Sequence, residues 1–119
     1  MATSTINAGA DVNNTVVMQY NTSTKTKVVI ELNGASSIDG ILTFYDGTTR
    51  NLKLMAVHAY SANGTSLAES ACIDIGANTT WSGMSVSGAQ MIFTFSSYKS
   101  GLLAISHTAG HRPTISYTT

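Results

Sequence analysis

Short runs in which apolar and polar side chains alternate, each closed by Gly, Asn or Asp, recur along this chain, while helical spacing is nowhere sustained. A period of two places successive side chains on opposite faces of an extended strand, so the pattern restricts the chain to sheets. Thr15 to Tyr20 is the first such run, with Val16, Met18 and Tyr20 sharing a face. In Lys27 to Leu32, Val28, Ile30 and Leu32 point inward, and Lys27 and Glu31 point outward beside Val29, as in a sheet with one solvated face. Asn21 to Thr24 between them reads as a polar hairpin loop, and Asn33-Gly34 closes the second strand with residues that tolerate positive φ.

Ile41 to Tyr45, Asp46-Gly47 and the run from Thr48 onward read as a hairpin on a two-residue turn, with a returning strand that extends to Tyr60. Leu52, Leu54, Ala56 and Tyr60 alternate there with Lys53, Met55, Val57 and Ala59, so both faces are largely apolar over its second half. That is the mark of a central or an interface strand. After a turn at Asn63-Gly64, the run from Leu67 to Ile75 sets Leu67, Ala71, Ile73 and Ile75 on one face and Ala68, Ser70, Cys72 and Asp74 on the other. A short strand from Trp81 to Val86 ends at Gly88, and a longer one from Gln90 to Tyr98 turns Met91, Phe93 and Phe95 inward. Lys99-Ser-Gly101 reads as a turn that returns the chain through Leu102 to His107 as the hairpin partner of that strand. The last strand, Thr114 to Thr118, follows Pro113, a residue permitted at a strand start.

About eight or nine strands with closely spaced turn signals predict an all-β fold, a small antiparallel β-sandwich of jelly-roll type. Its 119 residues make a single domain, 1–119, with residues 1–14 as an extended N-terminal arm. The surface is unusual. Ser, Thr, Asn and Gly supply 50 residues, whereas charged residues make up 10 % and balance at six against six. Exposed strand edges are ordinarily guarded by lysine, proline or inward-pointing charge, and this chain has four lysines and one proline to do so. Covered edges, in a homo-oligomer or a larger protein assembly, are the expected solution.

The same balance leaves a nucleic-acid partner and an anionic membrane surface without support. No uncharged apolar run approaches the ~20 residues of a membrane helix, and Met1 to Ile6 lacks the cationic start and apolar core of a secretory signal. Cys72, the one cysteine, cannot form an intramolecular disulfide and reads as a small buried hydrophobe between Ala71 and Ile73. Four Asn-x-Ser/Thr sequons, at Asn13, Asn21, Asn63 and Asn78, are what chance produces in so hydroxyl-rich a chain.

Catalytic motifs are sparse. Asp46 is absorbed by its turn, Asp11 and Asp39 fall in loop-like stretches, and Glu69 and Asp74 lie five apart on one strand, hence on opposite faces. A glycosidase pair needs two carboxylates on one cleft. Gly83-Met-Ser85-Val-Ser87 has serine where G-x-S-x-G requires its last glycine, and no phosphate-binding glycine pattern occurs. His107 and His111 have a spacing that serves a metal on a helix but here spans a strand end and a loop, so no metal or other cofactor is expected. His58 reads as a satisfied core or interface imidazole.

Two functions fit. The first is a non-enzymatic structural or interaction module of an extracellular or virion-surface assembly, a phage decoration or fibre-type domain. It would act by subunit association through apolar strand faces, with loops turned toward a neighbour or host receptor. The second is a lectin-like sandwich that binds a glycan through Tyr60, Asn63, Asn78 and Trp81, where an aromatic ring stacks on the sugar and amides donate around it. The structural reading of Trp81, an indole that caps the end of the sandwich with its N–H on a loop carbonyl, outweighs the sugar-binding one.

Overall fold

The computed structural model describes residues 14–21, 27–46, 51–77, 83–94 and 100–118. They form β1 (Thr15–Asn21), β2 (Lys27–Glu31), β3 (Ser36–Asp46), β4 (Asn51–Ser61), β5 (Glu69–Ala77), β6 (Gly83–Ser87), β7 (Gln90–Thr94), β8 (Ser100–His107) and β9 (Thr114–Thr118). All pairings are antiparallel, in a five-stranded sheet of order β1-β8-β3-β4-β5 and a four-stranded sheet of order β6-β7-β2-β9. The two sheets share one core and make a small β-sandwich. No helix long and apolar enough to cross a membrane occurs among the described residues.

Each sheet gives the core one face, as the period-two pattern predicts. Ile38, Leu42, Met55, Val57, Leu103 and Ile105 from the larger sheet meet Val28, Ile30, Met91 and Phe93 from the smaller, all 2 % exposed or less. Burying one such side chain contributes about 1.5–3 kcal/mol. Cys72 packs against this core with its Sγ 3.3 Å from Met55 Sδ. Leu32 and Leu67 close one end, where the N–H of Leu32 donates to the Ala89 carbonyl and that of Leu67 to the Gly88 carbonyl. Pro113 precedes the edge strand β9, where its missing N–H disturbs no ladder.

Pairing departs from expectation in four places. β1 and β2 lie in different sheets, so they are not the hairpin pair that a loop at Asn21 to Thr24 predicted. Leu102 to His107 is not the partner of β7; β8 inserts between β1 and β3 in the opposite sheet, and Ser100 and Gly101 belong to it rather than to a turn. The pairs β1·β8 and β2·β7 are nested as in a jelly-roll ribbon, whereas β3, β4 and β5 form a plain meander. Alternation gives each strand a buried face without saying which sheet that face belongs to.

The third departure is the β3–β4 connection. Asp46 pairs with Asn51 and Tyr45 with Leu52, so four residues, 47–50, link the strands where Asp46-Gly47 predicted a two-residue turn. The partners shift by four, an even number, and every side chain keeps its face. Fourth, β3 starts at Ser36, well before Ile41, which places Asp39 in a strand and not in a loop. Ser36-Ser-Ile-Asp-Gly40 has weak strand propensity because of its serines, aspartate and glycine. The glycine is required by packing: a Cβ on Gly40 would lie 2.1 Å from the Ala104 carbonyl oxygen and 2.6 Å from Ile105 Cα. The expected strand from Gln90 to Tyr98 is described as far as Thr94, and Phe95 to Tyr98 lie outside the described residues.

Candidate functional site

The outward face of the five-stranded sheet is built by register. Val17 pairs with Ala104, Ala104 with Ile41, Ile41 with Ala56, and Ala56 with Ile73, so five apolar residues from five different strands stand side by side in one row. Val17 is 65 % exposed, Ile73 62 % and Ile41 36 %. Large and small side chains alternate along this row. In β5 the exposed Ile73 corrects any reading of its apolar face as the inner one: Cys72, from the other set, is the residue that meets the core. The small residues leave an open depression of about 240 Å³ lined by Asp39, Gly40, Ala56, Val57, His58, Ala71 and Ile73.

A charged cluster borders the depression. The next row runs Thr15, Ser106, Asp39, His58, Ala71 across the same five strands. His58 Nδ1 lies 2.6 Å from Asp39 Oδ1, and Nε2 lies 3.3 Å from Glu69 Oε2. Glu69 reaches from β5, where it pairs with Tyr60, one row further on. Both ring nitrogens therefore face carboxylates, which accept and never donate when ionised, so the arrangement favours the imidazolium with both N–H groups donating. The hydrogen bond to Asp39 raises the His58 pKa above 6.5; burial lowers it, and the bond to Glu69 with the charges of both carboxylates adds to the rise. An imidazole held at both nitrogens has no lone pair to offer as a general base. The cluster can bind or hold register.

Of the residues singled out from sequence, Tyr60, Asn63, His107 and His111 are described. Tyr60 is exposed on the outer face of β4, one residue from the strand's end and the turn that follows it. Asn63 is a turn residue whose Oδ1 accepts from the N–H groups of Thr65 and Ser66, while Ser61 Oγ accepts from Gly64 N–H and donates to the Ser66 carbonyl. Gly64, at φ +79°, abuts the Gly34 backbone, where a Cβ would come within 2.5 Å of the Gly34 nitrogen. Asn78 and Trp81 lie outside the described residues. His107 ends β8, mostly buried, with Nδ1 donating to the Thr108 carbonyl and Nε2 without a partner among the described residues. The His111 ring donates from Nδ1 to the Asn33 carbonyl and packs on Gly34. Among the described residues no three His, Cys, Asp or Glu side chains are arranged to hold a metal ion.

Asp39, Glu69 and the apolar row were not legible as a unit, since their members come together only through register. A scan against protein-family models found no match, and searches of the curated proteins and of the solved structures likewise returned none.

Proposed function

We propose that this protein is a non-enzymatic structural module that associates with copies of itself through the outer face of its five-stranded sheet. The row Val17, Ala104, Ile41, Ala56, Ile73 carries this reading. An aliphatic band spanning a whole sheet, with two members more than 60 % exposed, is the kind of surface that marks a protein interface. A formal net charge of zero sets up no overall repulsion between copies. The edges agree with this: no lysine occurs in the edge strands β1, β5, β6 and β9.

The setting we assign is an extracellular or virion-surface assembly, of the phage decoration or fibre type. The support is compositional: an exterior solvated by hydroxyls and amides, few ions, and one cysteine, which leaves the fold to packing alone. Sedimentation velocity over a wide concentration range tests the reading. A sedimentation coefficient that rises with concentration, and does so less for Ile73→Lys, supports it; a monomer at every concentration sinks it.

A further inference from the structure

Resting on that self-association, we infer that two copies meet about a two-fold axis parallel to the strands and lying between β3 and β4, with each Asp39 set against the partner's His58. Two features of the face select this geometry from the few that symmetry allows.

The first is the alternation of size. A face-to-face two-fold along the strands keeps each row opposite the same row of the partner and reverses the order of strands. With the axis between β3 and β4, Ile41 lies over the partner's Ala56 and Ala104 over the partner's Ile73, so each large side chain enters the space above a small one. An axis running along β3 itself would stack Ile41 on its own copy and Asp39 on its own copy, pairing bulk with bulk and charge with like charge. An axis perpendicular to the strands, along the apolar row, also sets Ile41 on Ile41. Packing at interior density rejects both.

The second is charge. In the selected arrangement the row beside the apolar one brings Asp39 over the partner's His58, and His58 over the partner's Asp39. Ser106 then faces the partner's Ala71, so no like charges oppose in that row. Shifting the axis to lie between β8 and β3 preserves the large-on-small fit and covers Val17 in place of Ile73, but puts His58 over the partner's Thr15 and Asp39 over the partner's Ser106. Charge complementarity thus separates two arrangements that sterics alone would leave equal. Sheet twist makes the register truest next to the axis, where Ile41, Ala56, Asp39 and His58 all lie. Contact over four strands is at the small end of specific interfaces, so association in the micromolar range is expected.

Trans-complementation tests the register. Asp39→Lys sets a cation over the partner's His58, and His58→Glu sets a carboxylate over the partner's Asp39, so each variant alone should self-associate at least about tenfold more weakly than wild type. An equimolar mixture sets the introduced lysine of one variant against the introduced glutamate of the other, and the retained His58 against the retained Asp39, across one axis. Association should then recover to within about threefold of wild type. Circular dichroism melts establish that both variants fold. Should one misfold, Ala104→Cys mixed with Ile73→Cys, each in a Cys72→Ala background, should be joined by a short bis-maleimide in the mixture and not in either variant alone, because each of these residues lies three strand spacings from its own copy across the axis. Wild-type association without rescue or selective cross-linking overturns this geometry while leaving self-association standing. A wild-type monomer overturns the proposed function itself.

Discussion

The two sheets bury similar inner faces and differ in what they show outside. On the four-stranded sheet the central outer row is Ser85, Ile92, Val29, Ser116, flanked by Ser87, Gln90, Glu31, Thr114 on one side and by Thr94, Lys27 and Thr118 on the other. Its two apolar members are hemmed in by longer polar neighbours, and Val29 is only 7 % exposed. On the five-stranded sheet the apolar row runs from edge to edge, and the ions are gathered to one side of it as Asp39, His58 and Glu69. Hydrophobicity alone does not distinguish these faces. Arrangement does: lysine and glutamate stems shield apolar neighbours from water, whereas alanine neighbours leave an isoleucine standing in it.

This contrast can be broken most forcefully at Gly40. Gly40→Ala sets a methyl group against the β8 backbone, which cannot move aside as a side-chain tip would, so the five-stranded sheet must part there. A loss of about 2–3 kcal/mol is expected, read as a drop in Tm of roughly 6–18 °C at about 3–6 °C per kcal/mol for a chain of this length. An unchanged melt would mean that β3 and β8 do not approach so closely.

A matched pair of surface variants probes the faces themselves. Ile73→Lys on the five-stranded sheet should weaken self-association by about tenfold, near 1.4 kcal/mol, with little change in Tm. Ser116→Lys on the four-stranded sheet should leave sedimentation untouched. If both variants act alike, the difference between the two faces has no bearing on assembly.

Smaller effects sharpen the picture. Asn63→Ala removes the acceptor for two backbone N–H groups in the β4–β5 turn, and a loss of about 1 kcal/mol in denaturant unfolding is expected. His58 contributes least, because its carboxylate partners are about two-thirds exposed and their attraction is screened. Its pKa is raised on folding, so its contribution is fully present below 6.5 and is lost as pH rises through the higher folded value. Unfolding stability should therefore fall slightly with rising pH just above 6.5 relative to His58→Gln, and equal slopes for the two proteins would remove the ion pair from the account.

Most strand positions, the inner faces of β2 and β7 and the Asn-Gly turns at Gly34 and Gly64 were legible because each depends on neighbours in sequence. Val28, Ile30, Met91 and Phe93 point inward as alternation requires, and Gly34 and Gly64 have the positive φ that their Asn-Gly context suggests. Sheet membership was not, since nothing local tells β8 to leave β7 for β1 and β3. The charged cluster was hidden by a single turn. With Asp46-Gly47 as a two-residue turn, Asp39 falls opposite Leu54; with the four-residue link it falls opposite His58. Face parity survives such an error, and partner identity does not. For β5, alternation set Cys72 and Ile73 on opposite faces without saying which meets the core; Cys72 does, and Ile73 is exposed.

The nested pairing of β1 with β8 also sets an order of events during synthesis. Thr15 meets Ser106, so β1 has no partner until β8 has been made, and β2 waits similarly for β7 and β9. The β3-β4-β5 meander needs only its own neighbours and can form on the ribosome long before. Ile41, Ala56 and Ile73 all lie in that meander, so much of the apolar row can form while the core is still open. On the self-association proposed above, nascent chains would present that surface before each has closed, and rapid completion of β8 would favour soluble expression.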